Sequence, residues 1–524
     1  MNIKRIMAGV ASFMVTLSPM NVYADDTVYA QNLNTDEYYY SISDAWTSAC
    51  SGNPIRMVED WNLDSALVVG ENQEVSIQMN GHVICRQLEN REKNGNVIKV
   101  EAGANLSLLG DLNVTRTINV PDYKNDTSGD TSTQVSSGGF VTGGKNTYSG
   151  GGIIVEKDAT LRLSFVGVSG NMANTKFSEG CGGGVFLSGE NSTLVLDSNA
   201  QISNNYARRS GGGVYVEAEN AQIQNSSSTI SNNIANYGGG ISSNGNNTQI
   251  TLKDAANIDE NSANYVGGGV CFGNTNFTLR STSEETNSIS KNTSHQGAGV
   301  YVDQVSSSSN SGLIENVTFD SNRAEDGDEN YGGAIYLEQE NVHVKKCVLT
   351  NNYAAQYGGG IYNYNDDNMI DNCTITNNEA GVAGGGIYQN EHEDITLSGK
   401  NVIKNNKRTD GASDDLMLEK TWLYTAYVKG EITSDSSVGI RTGDTGTTQI
   451  GKDITSDPGS AVFLNDSGEY HIEYKDGKLY KSDGSLLGSI FGNSNLGMAI
   501  VVIAGISVVG IIAFVVNKKK KTSE

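Results

Sequence analysis

The sequence predicts an all-β solenoid of stacked parallel strands, and three observations carry that prediction. A unit of about 29 residues recurs along the chain. Each copy holds one asparagine at a constant place, and each holds a glycine cluster followed by a β-branched residue. A fixed period of this size with short β-like segments belongs to repeat architectures rather than to a single packed core.

The copies align into columns. Position one is apolar: Val168, Ile202, Ile230, Ile258, Ile289, Phe319, Leu349, Ile375 and Ile403. Three residues on stand Asn171, Asn205, Asn233, Asn261, Asn292, Asn322, Asn352, Asn378 and Asn406. After the glycines comes a β-branched file that includes Ile335, Ile361 and Ile387. Parallel strands stack ~4.8 Å apart, so like residues lie over like residues. The β-branched file fills a narrow interior, each side chain contributing ~1.5–3 kcal/mol by leaving water. An inward asparagine passes amide hydrogen bonds from coil to coil and satisfies turn groups that burial would otherwise strand. Nine copies of one residue in one setting are structural rather than catalytic.

The stretch Phe319-Asp320-Ser321-Asn322 with Gly332-Gly333-Ala334-Ile335 resembles the two short motifs of the chlamydial polymorphic outer membrane proteins. The resemblance spans Val168 to Asn406 and rests on the alternation of both motifs, not on either alone. It implies a right-handed parallel β-helix and adhesin-like display on a cell surface. It brings no catalytic residue, and its C-terminal membrane barrel has no counterpart here.

From the start of the chain, Met1 to Ala24 reads as a signal peptide: Lys4 and Arg5, an apolar run, then Val22-Tyr23-Ala24 as the cleavage site. Ser43 to Cys50 reads as a short helix capped by Ser43 that covers the open end of the solenoid. Alternating stretches between Ala66 and Leu109 read as first coils. Pro121 to Ser149, rich in Ser, Thr, Gly, Asn and Asp, reads as a long exposed loop. The alanine column fails at Arg408, and different β-rich sequence follows. Met498 to Val516 carries no charge and is long enough to span a bilayer, with Lys518 to Lys521 directly after it. The layout expected is thus signal peptide 1–24, cap 25–50, first coils 51–120, loop 121–149 and regular repeats 150–408. Closing coils and cap 409–488, spacer 489–497, transmembrane helix 498–516 and cytoplasmic tail 517–524 complete it. The expected location is a single-pass bacterial cell-surface protein with an extracellular ectodomain.

The net charge of −24, with its basic cluster confined to the tail, excludes nucleic acid as a partner. Extracellular protein or glycan remains as the expected ligand. Tyr301, Tyr336, Tyr362 and Tyr388 follow the β-branched file and should form an outward strip, either stabilising the sheet face or stacking on sugar rings. Asp326, Asp328 and Glu329 share one corner loop and offer oxygen ligands to Ca2+, against the plainer reading of a solvated acidic loop. Cys50 with Cys85, and Cys347 with Cys373 in adjacent coils, are candidate disulfides; for the second pair, two stacked buried thiols are the alternative. The five histidines are scattered and no glycine triplet precedes a phosphate-loop Lys-Ser/Thr. The sequence therefore points first to a non-catalytic adhesin, and second to a polysaccharide lyase or glycoside hydrolase. Such an enzyme would place its cleft beside the 121–149 loop or the Asp326 loop.

Overall fold

A computed structural model describes residues 27–482, apart from short stretches of which 121–130 is the longest. The chain winds as a parallel β-solenoid. A regular coil has four strands, as in Ile335–Leu337, Val342–Lys345, Val348–Thr350 and Tyr353–Ala354. Each pairs in parallel with its counterpart one coil on: Ile335 with Ile361, Val344 with Ile370, Leu349 with Ile375 and Ala354 with Ala380. The strand ladders close at the C-terminal end, where Ser437–Thr442 pairs with both Val402–Lys404 and Leu416–Leu418.

Alternation decides what lies inside. Ile335, Ile361 and Ile387 are fully buried, as are Phe319, Leu349 and Ile375 from the facing ladder. The glycine clusters sit where neighbouring coils touch backbone to backbone. Gly358 adopts φ 69°, and a Cβ on Gly359 would stand 2.4 Å from the carbonyl oxygen of Glu379. No side chain fits that approach.

The nine asparagines form a continuous ladder. From Asn171 to Asn378, each donates its side-chain amide (2.9–3.1 Å) and its backbone N–H to Oδ1 of the next. The same amide also reaches back to the preceding coil, as from Asn322 to the Ile289 carbonyl at 2.9 Å. A buried corner is thereby satisfied without water.

Both ends of the described chain turn antiparallel, which blocks further strand addition. At the start, Ala30–Asn32 pairs with Tyr38–Tyr39 and with Ile55–Met57. Helix α1, Ile42–Cys50, lies over this end; its N-cap is Ser41, whose hydroxyl accepts from the Asp44 N–H at 3.1 Å, not Ser43 as the sequence suggested. Ala45 and Ala49 are buried, and the Trp46 indole donates to the Val68 carbonyl at 3.2 Å. At the other end Lys478–Ser482 pairs antiparallel with Thr448–Ile454 and His471–Lys475.

Two further expectations need correction. The 121–149 stretch is not one loop. Val114–Val120 and Thr131–Ser137 pair as an antiparallel hairpin, and Phe140–Thr142 and Lys145–Asn146 already belong to the solenoid ladders. Polar strands on an arm lack the alternation that marks a half-buried sheet, so the arm reads as loop. Single-pass membrane anchoring is not supported either. Among the described residues no helix is long and apolar enough to cross a membrane. The nine residues of α1 rise only ~14 Å against a ~30 Å hydrocarbon core. The signal-peptide stretch 1–24 and the apolar stretch 498–516 lie outside the described residues.

Candidate functional site

The hairpin arm creates the concave feature of the first coils. Residues of one face of the arm turn toward the solenoid, where Ile118 and Val135 pack on Phe140 with Val83, Val114 and Val120 at the margin. The contact is close: a Cβ on Gly81 would meet Val114 at 2.8 Å, and one on Gly170 would meet the Asn119 carbonyl oxygen at 2.4 Å. The Ser137 hydroxyl and the Gln201 amide tie the second strand down, to the Phe165 carbonyl at 3.0 Å and from Gln201 to the Ser136 carbonyl at 3.1 Å.

Between this arm and the loop after Cys85 lies an open cleft of about 480 Å³. Its floor is the outward file Asn62, Cys85 and Thr142, aligned by parallel pairing. The opposite wall carries Gln87, Glu89 and Lys145. Arg86 fixes that wall from within, donating to the carbonyls of Asn94 and Asn96 at 2.8 and 3.2 Å and to the Glu92 carboxylate at 3.2 Å. Gln87 reaches down to Asn62 at 2.6 Å, and Lys145 donates to the Glu89 carbonyl at 3.3 Å.

Asp60 is the charged centre of the cleft. Its Oδ1 stands 3.1 Å from His82 Nδ1, 3.5 Å from Arg116 Nη2 and accepts the Val83 N–H at 3.0 Å. Arg116 is steadied by the Gly81 carbonyl at 3.2 Å. Three elements distant in sequence thus bring together a carboxylate, an imidazole and a guanidinium. Burial pushes the neighbouring Cys85 thiol above its ordinary range, which keeps it protonated and weakly nucleophilic. Sequence reasoning missed this cluster. Only the outward parity of Asp60 beside the buried Trp61 hinted at it, and nothing local tied Arg116 to the same place.

The residues singled out by sequence lie elsewhere. Tyr301, Tyr336, Tyr362 and Tyr388 do stack, with ring centroids 5.0, 4.9 and 5.2 Å apart. They are not an exposed strip, however: each is 4–7% exposed, because Tyr331 and Tyr357 from the preceding corner pack over them. Burial raises all four hydroxyls well above the usual tyrosine range, and those of Tyr301 and Tyr388 donate to Glu338 and Glu419. Asp326, Asp328 and Glu329 do not converge. Among the described residues no three acidic, His or Cys side chains are grouped to hold a metal ion, and Glu329 instead accepts from Gln296 at 3.1 Å. No disulfide forms: Cys50, Cys85, Cys347 and Cys373 are free thiols, as are Cys181 and Cys271. Cys50 Sγ faces the Val68 carbonyl at 3.9 Å, and Cys347 and Cys373 each donate to backbone carbonyls at 3.3–3.5 Å.

Comparison with known proteins agrees with the repeat. Residues 316–338 match the Chlamydia polymorphic membrane protein (Chlamydia_PMP) repeat. No curated protein matches the chain by sequence. Among solved structures it is similar to the tailspike protein gp49 from Acinetobacter baumannii bacteriophage Fri1, a capsular polysaccharide depolymerase. That similarity has 12% identity and a TM-score of 0.26, over 77% of this chain and 61% of the tailspike. At that score no activity is transferred.

Proposed function

We propose that the chain is an exported, carbohydrate-active β-solenoid that takes a polysaccharide into the cleft beside the hairpin and cleaves it there. One observation carries the reading: Asp60 and Arg116, with His82 behind Asp60, stand at an open cleft whose lining adds the amides and hydroxyls of Asn62, Gln87, Thr117, Asn119 and Thr142 and the charges of Glu89 and Lys145 to the apolar Val83, Leu88 and Ile118. Amides, hydroxyls and a few charges of both signs suit a polyhydroxylated ligand better than an apolar one. Elimination from a polyuronate needs a group to move the proton from C5 to the oxygen that leaves C4, and a cation to stabilise the negative charge that develops as the C4–O bond breaks. The Asp60–His82 pair fills the first role and the Arg116 guanidinium the second. Residues 1–24 supply the export signal in this reading.

The test is to incubate the purified protein with neutral polysaccharides (β-glucan, xylan) and with polyuronates (polygalacturonate, alginate). Reducing ends report hydrolysis, and ultraviolet absorbance of unsaturated uronate reports elimination. Asp60→Asn should lower the rate by about 100-fold or more, the usual share of one acid–base group. Product release unchanged in Asp60→Asn, or no product from any polymer, would overturn the proposal.

A further inference from the structure

A second open groove, of about 730 Å³, runs along the solenoid over the last regular coils. One edge is the file Arg323, Tyr353, Glu379 and Lys407, each aligned with the next by parallel pairing. The other edge is Asn351, Asn377 and Asn405, exposed residues with φ 57°, 59° and 61°. The left-handed turn alone does not demand asparagine. Glu260, Lys291 and Ser321 hold the same place in earlier coils with φ 55°, 53° and 58°. The amide run is therefore confined to the coils that bear the groove and the two near the start at Asn204 and Asn232.

The charges on the first edge are already matched. Arg323 makes a two-point contact with Glu325 at 2.9 and 2.8 Å and lies 4.4 Å from the centre of the Tyr353 ring. Lys407 pairs with Glu379 at 3.1 Å. A polyanion or polycation would have to compete with these pairs, whereas hydroxyl groups add to them. Spacing narrows the ligand further. The groove repeats once per coil, ~4.8 Å, whereas an extended peptide advances ~3.3 Å per residue. One hexose residue of an extended polysaccharide has about the length of one coil step, so a sugar chain stays in register where a peptide drifts.

We propose that this groove binds a neutral polysaccharide lengthwise, one sugar residue per coil, each meeting an asparagine amide on one side and Tyr353, Glu379 or Lys407 on the other. The proposal shares only its ligand class with the cleavage reading above and makes the groove a holding site away from the cleft.

The full chain, electrophoresed through gels containing hydroxyethylcellulose, galactomannan or polygalacturonate, supplies the test. The expected result is retardation by a neutral polymer and none by polygalacturonate. Asn377→Ala/Asn405→Ala should weaken that retardation about tenfold through loss of two hydrogen-bonding groups, and Asp60→Asn should leave it intact. Tyr353→Ala is a second groove variant, and circular dichroism melting confirms that each variant folds. Unchanged retardation in the folded groove variants, loss only in Asp60→Asn, or no retardation by any neutral polymer would overturn the proposal. The cleavage reading fails separately, by absence of product.

Discussion

Asp415 ends the asparagine ladder by accepting two hydrogen bonds at one carboxylate oxygen, from the Asn406 backbone N–H at 2.7 Å and from its side-chain amide at 2.9 Å. Everywhere earlier that acceptor is the next asparagine. A carboxylate accepts without needing to donate onward, so it can terminate a chain of donors. Asp415→Ala should therefore destabilise the C-terminal coils by about 2–4 kcal/mol by stranding two buried donors. Hydrogen exchange should open 402–442 before 230–352. Asp415→Asn keeps an oxygen in place and should be milder; equal losses in the two variants would contradict this role.

Because the tyrosine file expected to face outward is buried, substitutions in it should cost as much as substitutions in the interior file. Ile361→Asp buries an unpaired charge. Tyr362→Ser removes a ring held between Tyr336 and Tyr388 beneath Tyr331, at 4.9, 5.2 and 4.8 Å. Its cost should be about 3–5 kcal/mol. Tyr364→Ser, at a side chain 39% exposed, should cost under about 1 kcal/mol. Urea melts of the three variants check the order.

Stability should fall in alkali. Burial, ahead of the charges of Cys181 and Glu217, pushes the Tyr215 hydroxyl from 10.0 up to about 12. The neutral form is favoured in the folded chain, so the stabilisation is complete below about pH 10 and is lost as pH rises toward 12. The buried tyrosine file, shifted the same way, adds to the slope. Melting temperature should stay level through neutral pH and drop above pH 10; Tyr215→Phe should drop less steeply.

All six cysteines should titrate as thiols in denaturant without reductant. In the native chain Cys271 and Cys373 should react slowest, since burial raises both thiols. Reductant should leave the melting temperature unchanged. Fewer than six thiols by Ellman titration would show that a bridge forms after all.

Gly170→Ala should lift the hairpin arm. Its φ is 70°, and the added Cβ would lie 2.4 Å from the Asn119 carbonyl oxygen. Limited proteolysis should then cut within 114–137 sooner, and Arg116 should lose its hold on Asp60. An arm equally resistant to protease would argue against this packing.

Within the candidate sites, sequence was most informative where chemistry repeats. The Asn322, Asn352 and Asn378 file could be read directly, because in-register stacking turns a period in sequence into a neighbour in space. The tyrosine file was equally legible as a file but not as a buried one. Its covering residues, Tyr331 and Tyr357, sit in corner loops whose path no periodicity describes. The Asp60–His82–Arg116 cluster was illegible because two of its members come from irregular first coils and the third from a polar arm.

By itself, then, the sequence determined the solenoid, its interior files and its ladder, since each follows from the period and from side-chain parity along a strand. The tertiary structure alone decided where the arm lies, that the tyrosines are covered, that the thiols stay free, and that a carboxylate, an imidazole and a guanidinium meet at one cleft. The physical reason is the same in each case: repetition encodes contacts between equivalent residues, whereas contacts between inequivalent ones depend on how single loops pack.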